Sequence, residues 1–173
     1  PELLESFRKR RGYDLSDHLG LFFTGGGDPQ KRARLKCDYR TILAELQYEC
    51  MQVWIDWARS RGMITRNEAH GSPGNLLDLY AACDIPETEM FGAPDYPIPG
   101  FRREPGMVRK GDSETRICML ASSAAHVAHE PGRQWVSSES CTWLREHWHT
   151  TLGQIKLQLD ELFCAGVNHI FFH

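Results

Sequence analysis

Hydrophobic and polar positions along the chain change period repeatedly, which predicts helices alternating with strands. Apolar residues separated by one, three or four positions between Ile42 and Trp57 indicate a helix over 39–62 with one buried face. Asp38 fits as the N-cap of this helix, and Gly62 fits as its end. Shorter helices are predicted over 76–84, 113–132 and 152–166.

Short runs between these helices have the character of strands. They are "MITRNEAH" at 63–70, "IPETEMF" at 85–91, "RQWVSSE" at 133–139 and "HIFFH" at 169–173. Strands that alternate with helices pair in parallel through right-handed crossovers. An open doubly wound sheet and a barrel both satisfy this rule, but "TGGGD" at 24–28 lacks the spacing of a dinucleotide-binding loop. We therefore expect an α/β fold, a partial (β/α)8 TIM-type barrel with about half of the barrel present.

The chain is interpreted as one domain with a long loop. It starts without a methionine and stops within an apolar run, so residues 1–173 are predicted to be a fragment of a single barrel catalytic domain. The stretch 92–112 is rich in proline and glycine and shows no periodicity. Because long irregular segments after barrel strands build binding pockets, 92–112 is predicted to be an active-site loop.

Acidic and histidine side chains gather where the predicted strands end, which is where active sites form in a barrel. Side chains alternate along a strand, so Glu87 and Glu89 share one face. A solvated edge strand would also tolerate two such acids, and this pattern alone does not decide. The gathered residues are Glu68, His70, Glu87, Glu89, Glu139 and His173.

Carboxylates on neighbouring strands are suited to cleaving a glycosidic bond. Glycosidases use one carboxylic acid to protonate the departing oxygen and a second carboxylate to activate water or attack the sugar. Glu139 with Glu87 or Glu89 can supply this pair, because adjacent strands lie about 4.8 Å apart. Alternatively, Glu87 can help to bind a hard cation that takes oxygen ligands. No lysine lies at these strand ends, which argues against Schiff-base chemistry.

Composition argues against several other classes of protein. The net charge of −3 and the lack of a large basic cluster argue against nucleic-acid partners. No apolar run approaches the roughly 18 residues that a membrane span needs, so no membrane partner is expected. The six cysteines lack the spacing of a zinc site, and we expect structural thiols that behave as small hydrophobic side chains.

Several consecutive segments resemble glycoside hydrolase family 106, whose members are α-L-rhamnosidases. They are "QYECMQVWIDWARSRGM", "TRNEAHGSPGNLLDLYAACDIPETEMFG", "ASSAAHV", "WVSSESCTWLREHW" and "LDELFCAGVNHIFFH". The resemblance implies a barrel catalytic domain that cleaves terminal α-L-rhamnosyl residues of a glycan or glycoside with inversion. It also implies dependence on calcium and an extracytoplasmic location, periplasmic or secreted.

The family's functional residues carry over onto matching positions. The "PETE" strand matches Glu87 and Glu89 and the "SSE" strand matches Glu139, so these three are the predicted catalytic residues, with the choice between Glu87 and Glu89 open. Glu87 is also the predicted calcium ligand. The residues predicted to contact the sugar, by motif or by position near the strand ends, are His70, Asn75, Trp143, His147 and His173.

Two rival functions would use the same residues differently. In a non-catalytic carbohydrate-binding barrel, the glutamates would only hydrogen-bond to sugar hydroxyls. In a metal-dependent barrel lyase or aldolase, one glutamate would act with a metal. Hydrolysis of a rhamnoside distinguishes the predicted enzyme from a binder, and an unsaturated sugar product would identify a lyase.

Overall fold

The structure, a computed structural model, describes residues 2–91, 115–128, 134–142 and 151–173. The chain divides into two compact units. The first comprises Pro1–Trp54 and Ser72–Asn75, and the second comprises Ile55–Gly71 and Leu76–His173. The predicted loop at 92–112 lies outside the described residues, and whether the chain forms a single barrel domain stays a prediction.

The first unit is built from helices. Helices α1 (Glu2–Arg11) and α2 (Leu19–Thr24) precede the long helix α3 (Pro29–Arg59), whose last turns belong to the second unit. The core of this unit is formed by Phe7, Leu15, Leu35 and Ile42. Around it, Arg10 of α1 binds two glutamates of α3, Glu45 at 2.9 Å and Glu49 at 2.8 Å.

Helix α3 begins earlier than the sequence pattern predicted, so the assignment of Asp38 as its N-cap is wrong. The backbone N–H of Gln30 donates to Asp28 Oδ1 at 2.9 Å, and Pro29 needs no hydrogen-bond partner at the first helical position. Asp38 lies inside the helix and accepts a hydrogen bond from the Tyr13 hydroxyl at 2.9 Å. Gly62, with φ of +68°, lies just after the helix end, as predicted.

The buried face of the last turns of α3 also differs from the prediction. Met51, Ile55 and Ala58 are buried, whereas Val53 is 73% exposed and Trp57 is 50% exposed. Two apolar stripes overlap on this helix, and the one that contains Val53 and Trp57 is not the buried one. The spacing of apolar residues therefore predicted the helix but not its buried face, because the helical period alone does not say which of two overlapping stripes is buried.

The second unit contains a parallel sheet, as the alternation of strands and helices predicted. Its strands are β1 (Arg66–Glu68), β2 (Ile85–Phe91), β3 (Ser137–Thr142) and β4 (His169–Phe172). Among the described residues they form one sheet in the order β1-β2-β3-β4, with each neighbouring pair parallel. The α/β class is confirmed, while closure into a barrel stays a prediction.

Three helices lie between these strands along the chain: α4 (Leu76–Ala82), α5 (Thr115–Ala128) and α6 (Leu152–Cys164). The sheet face that carries Thr88, Met90, Ser138 and Ser140 is fully buried. Thr88 lies against Cys118 of α5, so this face meets the helices. The strand register places Glu68, Glu87, Glu89 and Glu139 together on the other face, which we call the acidic face.

All six cysteines are free thiols, as expected from their spacing. Cys83, Cys118 and Cys141 are buried, which fits a structural role. Cys37, Cys50 and Cys164 are exposed, so the expectation of buried thiols fails for these three helical positions.

None of the helices in the described ranges is both long and apolar enough to cross a membrane.

Candidate active site

Two glutamates of the acidic face lie side by side on neighbouring parallel strands. Glu89 of β2 and Glu139 of β3 are direct Cα partners in the register. Parallel partners on adjacent strands are about 4.8 Å apart and point the same way, so the two carboxylates share one local environment. Glu139 lies inside β3 rather than at its end as predicted, because β3 begins at Ser137 and extends to Thr142.

Glu87 is held differently from the other acids. It is only 5% exposed. Its Oε2 accepts a hydrogen bond from Ser137 Oγ at 2.8 Å and lies 3.4 Å from Arg66 Nη1. Arg66 brings a cation to this carboxylate and Ser137 brings a hydrogen-bond donor, and together they compensate for the water that Glu87 loses on burial.

Glu68 and Glu89 form a hydrogen-bonded pair of carboxyl groups. Burial raises the pKa of Glu68 to about 7, helped by the negative charges of Glu89, Glu139 and Glu87 and by this hydrogen bond. Burial also raises the pKa of Glu89, with a further contribution from Glu139, while His70, the hydrogen bond to Glu68 and His173 oppose the shift. Two carboxyl groups can hydrogen-bond only by sharing a proton. Glu68 therefore holds a proton up to near neutral pH, and its titration is coupled to that of Glu89.

The predicted histidines occupy this neighbourhood. His173 Nδ1 lies 3.5 Å from Glu139 Oε1, and His173 is largely exposed. His70 lies close enough to Glu89 to lower its pKa. Asn75 belongs to the other compact unit, so its predicted contact with the sugar stays a prediction. Trp143 and His147 lie outside the described residues.

Sequence reasoning missed several residues of this cluster. Arg66, Ser137 and Phe171 were given no role, and Glu68 was noticed only as one of the polar residues near a strand end. The period-two alternation could have found Arg66, because it lies two residues before Glu68 and therefore on the same face of β1. Its ring contact could not have been found, because Phe171 is three strands away in the sheet.

The backbone of β3 is irregular just beyond Glu139. The register between β2 and β3 shifts between Met90 and Phe91, and Cys141 has a φ of 69°. A residue with a side chain is strained in this left-handed region, and bulges of this kind often lie beside functional sites. The Cys141 thiol itself is buried, and burial raises its pKa to about 11, so it is not a reactive nucleophile.

The described residues do not form a calcium cage around Glu87. One oxygen of its carboxylate is already engaged by Arg66 and Ser137. Within residues 2–91, 115–128, 134–142 and 151–173, no three histidine, cysteine or acidic side chains are arranged to hold a metal ion. Calcium binding by Glu87 stays a prediction, and the roles of the other glutamates do not depend on it.

Comparison with known proteins identifies one family. The sequence profile of glycoside hydrolase family 106, described as alpha-L-rhamnosidase, matches residues 1–173. This match confirms the family resemblance over the whole chain. No curated protein and no solved structure matches the chain.

Proposed function

The chain belongs to glycoside hydrolase family 106, and from this premise we propose that its acidic face cleaves terminal α-L-rhamnosyl bonds by hydrolysis. The observation that carries the proposal is the direct pairing of Glu89 and Glu139 on adjacent parallel strands. Hydrolysis of a glycoside needs two carboxyl groups at one bond, one protonated and one ionised. The substrate class is therefore a carbohydrate that carries a terminal rhamnose.

Glu89 is the better candidate for the general acid of the two glutamates in the "PETE" strand. Burial and the negative charge of Glu139 raise the pKa of Glu89, which favours its protonated form. Glu68, whose pKa is raised to about 7, lies beside it and can resupply a proton. Glu87 is buried and its carboxylate is engaged by Ser137 and Arg66, so it is poorly placed to exchange protons with a substrate. We assign proton donation to Glu89 and a supporting role to Glu87.

Glu139 is the proposed carboxylate that activates water. Its side chain is 34% exposed, which gives water access to it. His173 Nδ1, 3.5 Å from Glu139 Oε1, can orient this carboxylate. Glu139 would take a proton from water as the water attacks the anomeric carbon, while Glu89 gives its proton to the departing oxygen.

Inversion is the stereochemical outcome that the family resemblance implies. Inverting enzymes place their carboxyl groups about 6.5–9.5 Å apart, so that water fits between them. Directly paired strands are closer than this, at about 4.8 Å, so inversion requires the carboxyl groups of Glu89 and Glu139 to lie farther apart than their backbones.

A barrel around this site is part of the proposal. The strand order supports a barrel, because the four strands follow one another in space as they do in sequence. In a doubly wound sheet the spatial order reverses after the first strands, and later strands are added at the other edge. The contact of Arg66 on β1 with Phe171 on β4 also supports a barrel, since curvature toward the acidic face brings these edge strands closer.

An extracytoplasmic location and calcium dependence are proposed from the family alone. Chelation of the intact protein followed by addition of Ca²⁺ tests the calcium dependence.

Hydrolysis of an aryl α-L-rhamnoside by the intact protein tests the proposal. Glu139→Gln and Glu89→Gln keep shape but lose proton transfer, so each should lower kcat by about 10²–10⁴-fold with KM little changed. Glu161→Gln, at an exposed position of α6, is the matched control and should keep full activity. Proton NMR of the first sugar anomer released reports inversion or retention.

Three outcomes would contradict the proposal. A wild-type protein that binds rhamnosides without hydrolysing them would be a carbohydrate-binding barrel. An unsaturated sugar product would indicate a lyase. Near-normal turnover by Glu139→Gln would remove this residue from the catalytic pair.

A further inference from the structure

Arg66 connects strands that lie far apart in the sheet. Its guanidinium carbon is 3.7 Å from the centroid of the Phe171 ring on β4, and its Nη1 is 3.4 Å from Glu87 Oε2 on β2. In the described sheet β1 and β4 are opposite edges, separated by three strand spacings, or about 14 Å. A single side chain on β1 therefore reaches residues of both the second and the fourth strand.

Strand β3 joins the same network through Ser137. Its hydroxyl donates to the Glu87 oxygen that Arg66 also approaches, at 2.8 Å. A guanidinium is planar, permanently charged and able to stack on an aromatic ring while it binds a carboxylate. The Phe171 ring therefore restricts the orientation of Arg66, and Arg66 in turn restricts the carboxylate of Glu87.

This network lies next to the proposed catalytic pair in the strand register. Glu87 and Ser137 are Cα partners, and the next partners on the same face are Glu89 and Glu139. Phe171 is the Cα partner of Glu139 on the other side of β3. Any relative shift of the strands that the network ties together would move the backbone that carries both catalytic carboxylates.

We propose that Arg66 is a positioning residue of the acidic face, which fixes the spacing of Glu89 and Glu139 through Glu87, Ser137 and Phe171. The inference rests on the proposed function, because it assigns these two carboxylates to catalysis. Arg66 itself does not take part in proton transfer. Its contribution is geometric, and a displacement of about 1 Å in a catalytic group can lower the rate about 10²-fold.

The experiment compares arginine variants of the intact protein on an aryl α-L-rhamnoside. Arg66→Ala should lower kcat by about 10²-fold with a nearly unchanged KM. Arg66→Lys should restore little of the rate, because lysine keeps the charge but has neither the planar fork nor the stacking face. Guanidinium ion, at concentrations that leave the wild type folded and active, should recover part of the kcat of Arg66→Ala.

Arg59→Ala is the matched control. Arg59 also binds an acid of the second unit, with its Nη2 3.0 Å from Asp84 Oδ1, but it is not on the acidic face. This variant should keep the wild-type kcat and show no response to guanidinium ion. A melting curve for every variant gives the folded fraction by which kcat is corrected.

Each remaining result is decisive. A wild-type kcat in Arg66→Ala, or a loss that follows the folded fraction and ignores guanidinium ion, would overturn the positioning role. If Arg66→Ala does not fold, Phe171→Leu decides: it removes the ring but keeps an apolar side chain, and an unchanged kcat would overturn the inference. A wild-type protein without rhamnosidase activity would overturn the proposed function and this inference with it, which is a different result from active wild type with unaffected variants.

Discussion

Glu68 shows how one carboxyl group on the acidic face differs from an ordinary surface acid. Burial and three neighbouring glutamates raise its pKa from 4.5 to about 7. In the unfolded chain these neighbours are dispersed in water, so the proton is lost near the ordinary value. Between pH 4.5 and pH 7 the folded protein therefore holds a proton that the unfolded chain has released. The contribution of Glu68 to the stability of the folded state therefore falls as the pH rises through this range and stays lower above it.

Glu68→Gln should remove the part of the pH dependence that comes from Glu68, because glutamine cannot release a proton. We expect the melting temperature of the variant, relative to wild type, to increase from below pH 4.5 to above pH 7. The measurement is a series of melting curves of the intact protein across that range. Glu161→Gln, which changes an exposed acid of α6, serves as the control and should show a nearly constant difference. If the difference in melting temperature between Glu68→Gln and wild type is also constant across this pH range, the raised pKa of Glu68 is contradicted.

At the scale of single residues, sequence reasoning found the acids but not their partners. Period-two alternation placed Glu87 and Glu89 on one face, and the structure agrees. It did not separate their environments, because burial of Glu87 depends on Ser137 and Arg66 of other strands. Local sequence patterns report direction along an element, whereas charge pairing across a sheet depends on the register between strands.

At the scale of elements, the sequence predicted some bounds and missed others. Strand β2 has the predicted bounds, and α6 begins at the predicted residue. The start of α3 was missed because Asp28 and Asp38 are both plausible caps, and the tertiary contact of Asp38 with Tyr13 is not visible in the sequence. Strand β3 was placed too early because the apolar pair before Ser137 resembles a strand.

The turn between α6 and β4 depends on Gly166 for two reasons. Gly166 has a φ of +89°, and a Cβ at this position would lie 2.7 Å from Ser122 Cβ of α5. The first feature strains any residue with a side chain, and the second leaves no room for one. The glycine therefore fixes both the end of α6 and its close approach to α5.

Gly166→Ala should destabilise the protein more than an alanine at an uncrowded glycine with similar φ. Gly62, with φ of +68° and open space where a Cβ would lie, is the matched site in the same unit. Gly62→Ala should cost about 1–2 kcal/mol from φ alone, and Gly166→Ala about 1–3 kcal/mol more from the overlap. Denaturant unfolding of both variants gives the two values. Equal losses would show that the contact with Ser122 relaxes without cost.

At the scale of the whole molecule, the proposed barrel depends on what the edge strands of the sheet bind. The described sheet has β1 and β4 at its edges, and an open edge leaves backbone N–H groups to water. On β4, the N–H groups of His169 and His173 donate to Val136 and Ser140 at 3.0 Å, next to and within β3. The alternate residues Ile170 and Phe172 direct their N–H groups away from β3, because amides of a strand in a parallel sheet alternate between its two neighbours.

Closure into a barrel predicts that Ile170 and Phe172 are hydrogen-bonded to a further strand in the intact protein. Their amides should then exchange with deuterium as slowly as that of His169, which is bonded in either architecture. An open edge would leave them exchanging much faster than His169, since only water would accept their hydrogen bonds. Hydrogen–deuterium exchange with mass spectrometry, using fragmentation that resolves 169–173, makes the comparison within a single peptide. Fast exchange at both positions would contradict the barrel but not the pairing of Glu89 with Glu139, which depends only on β2 and β3.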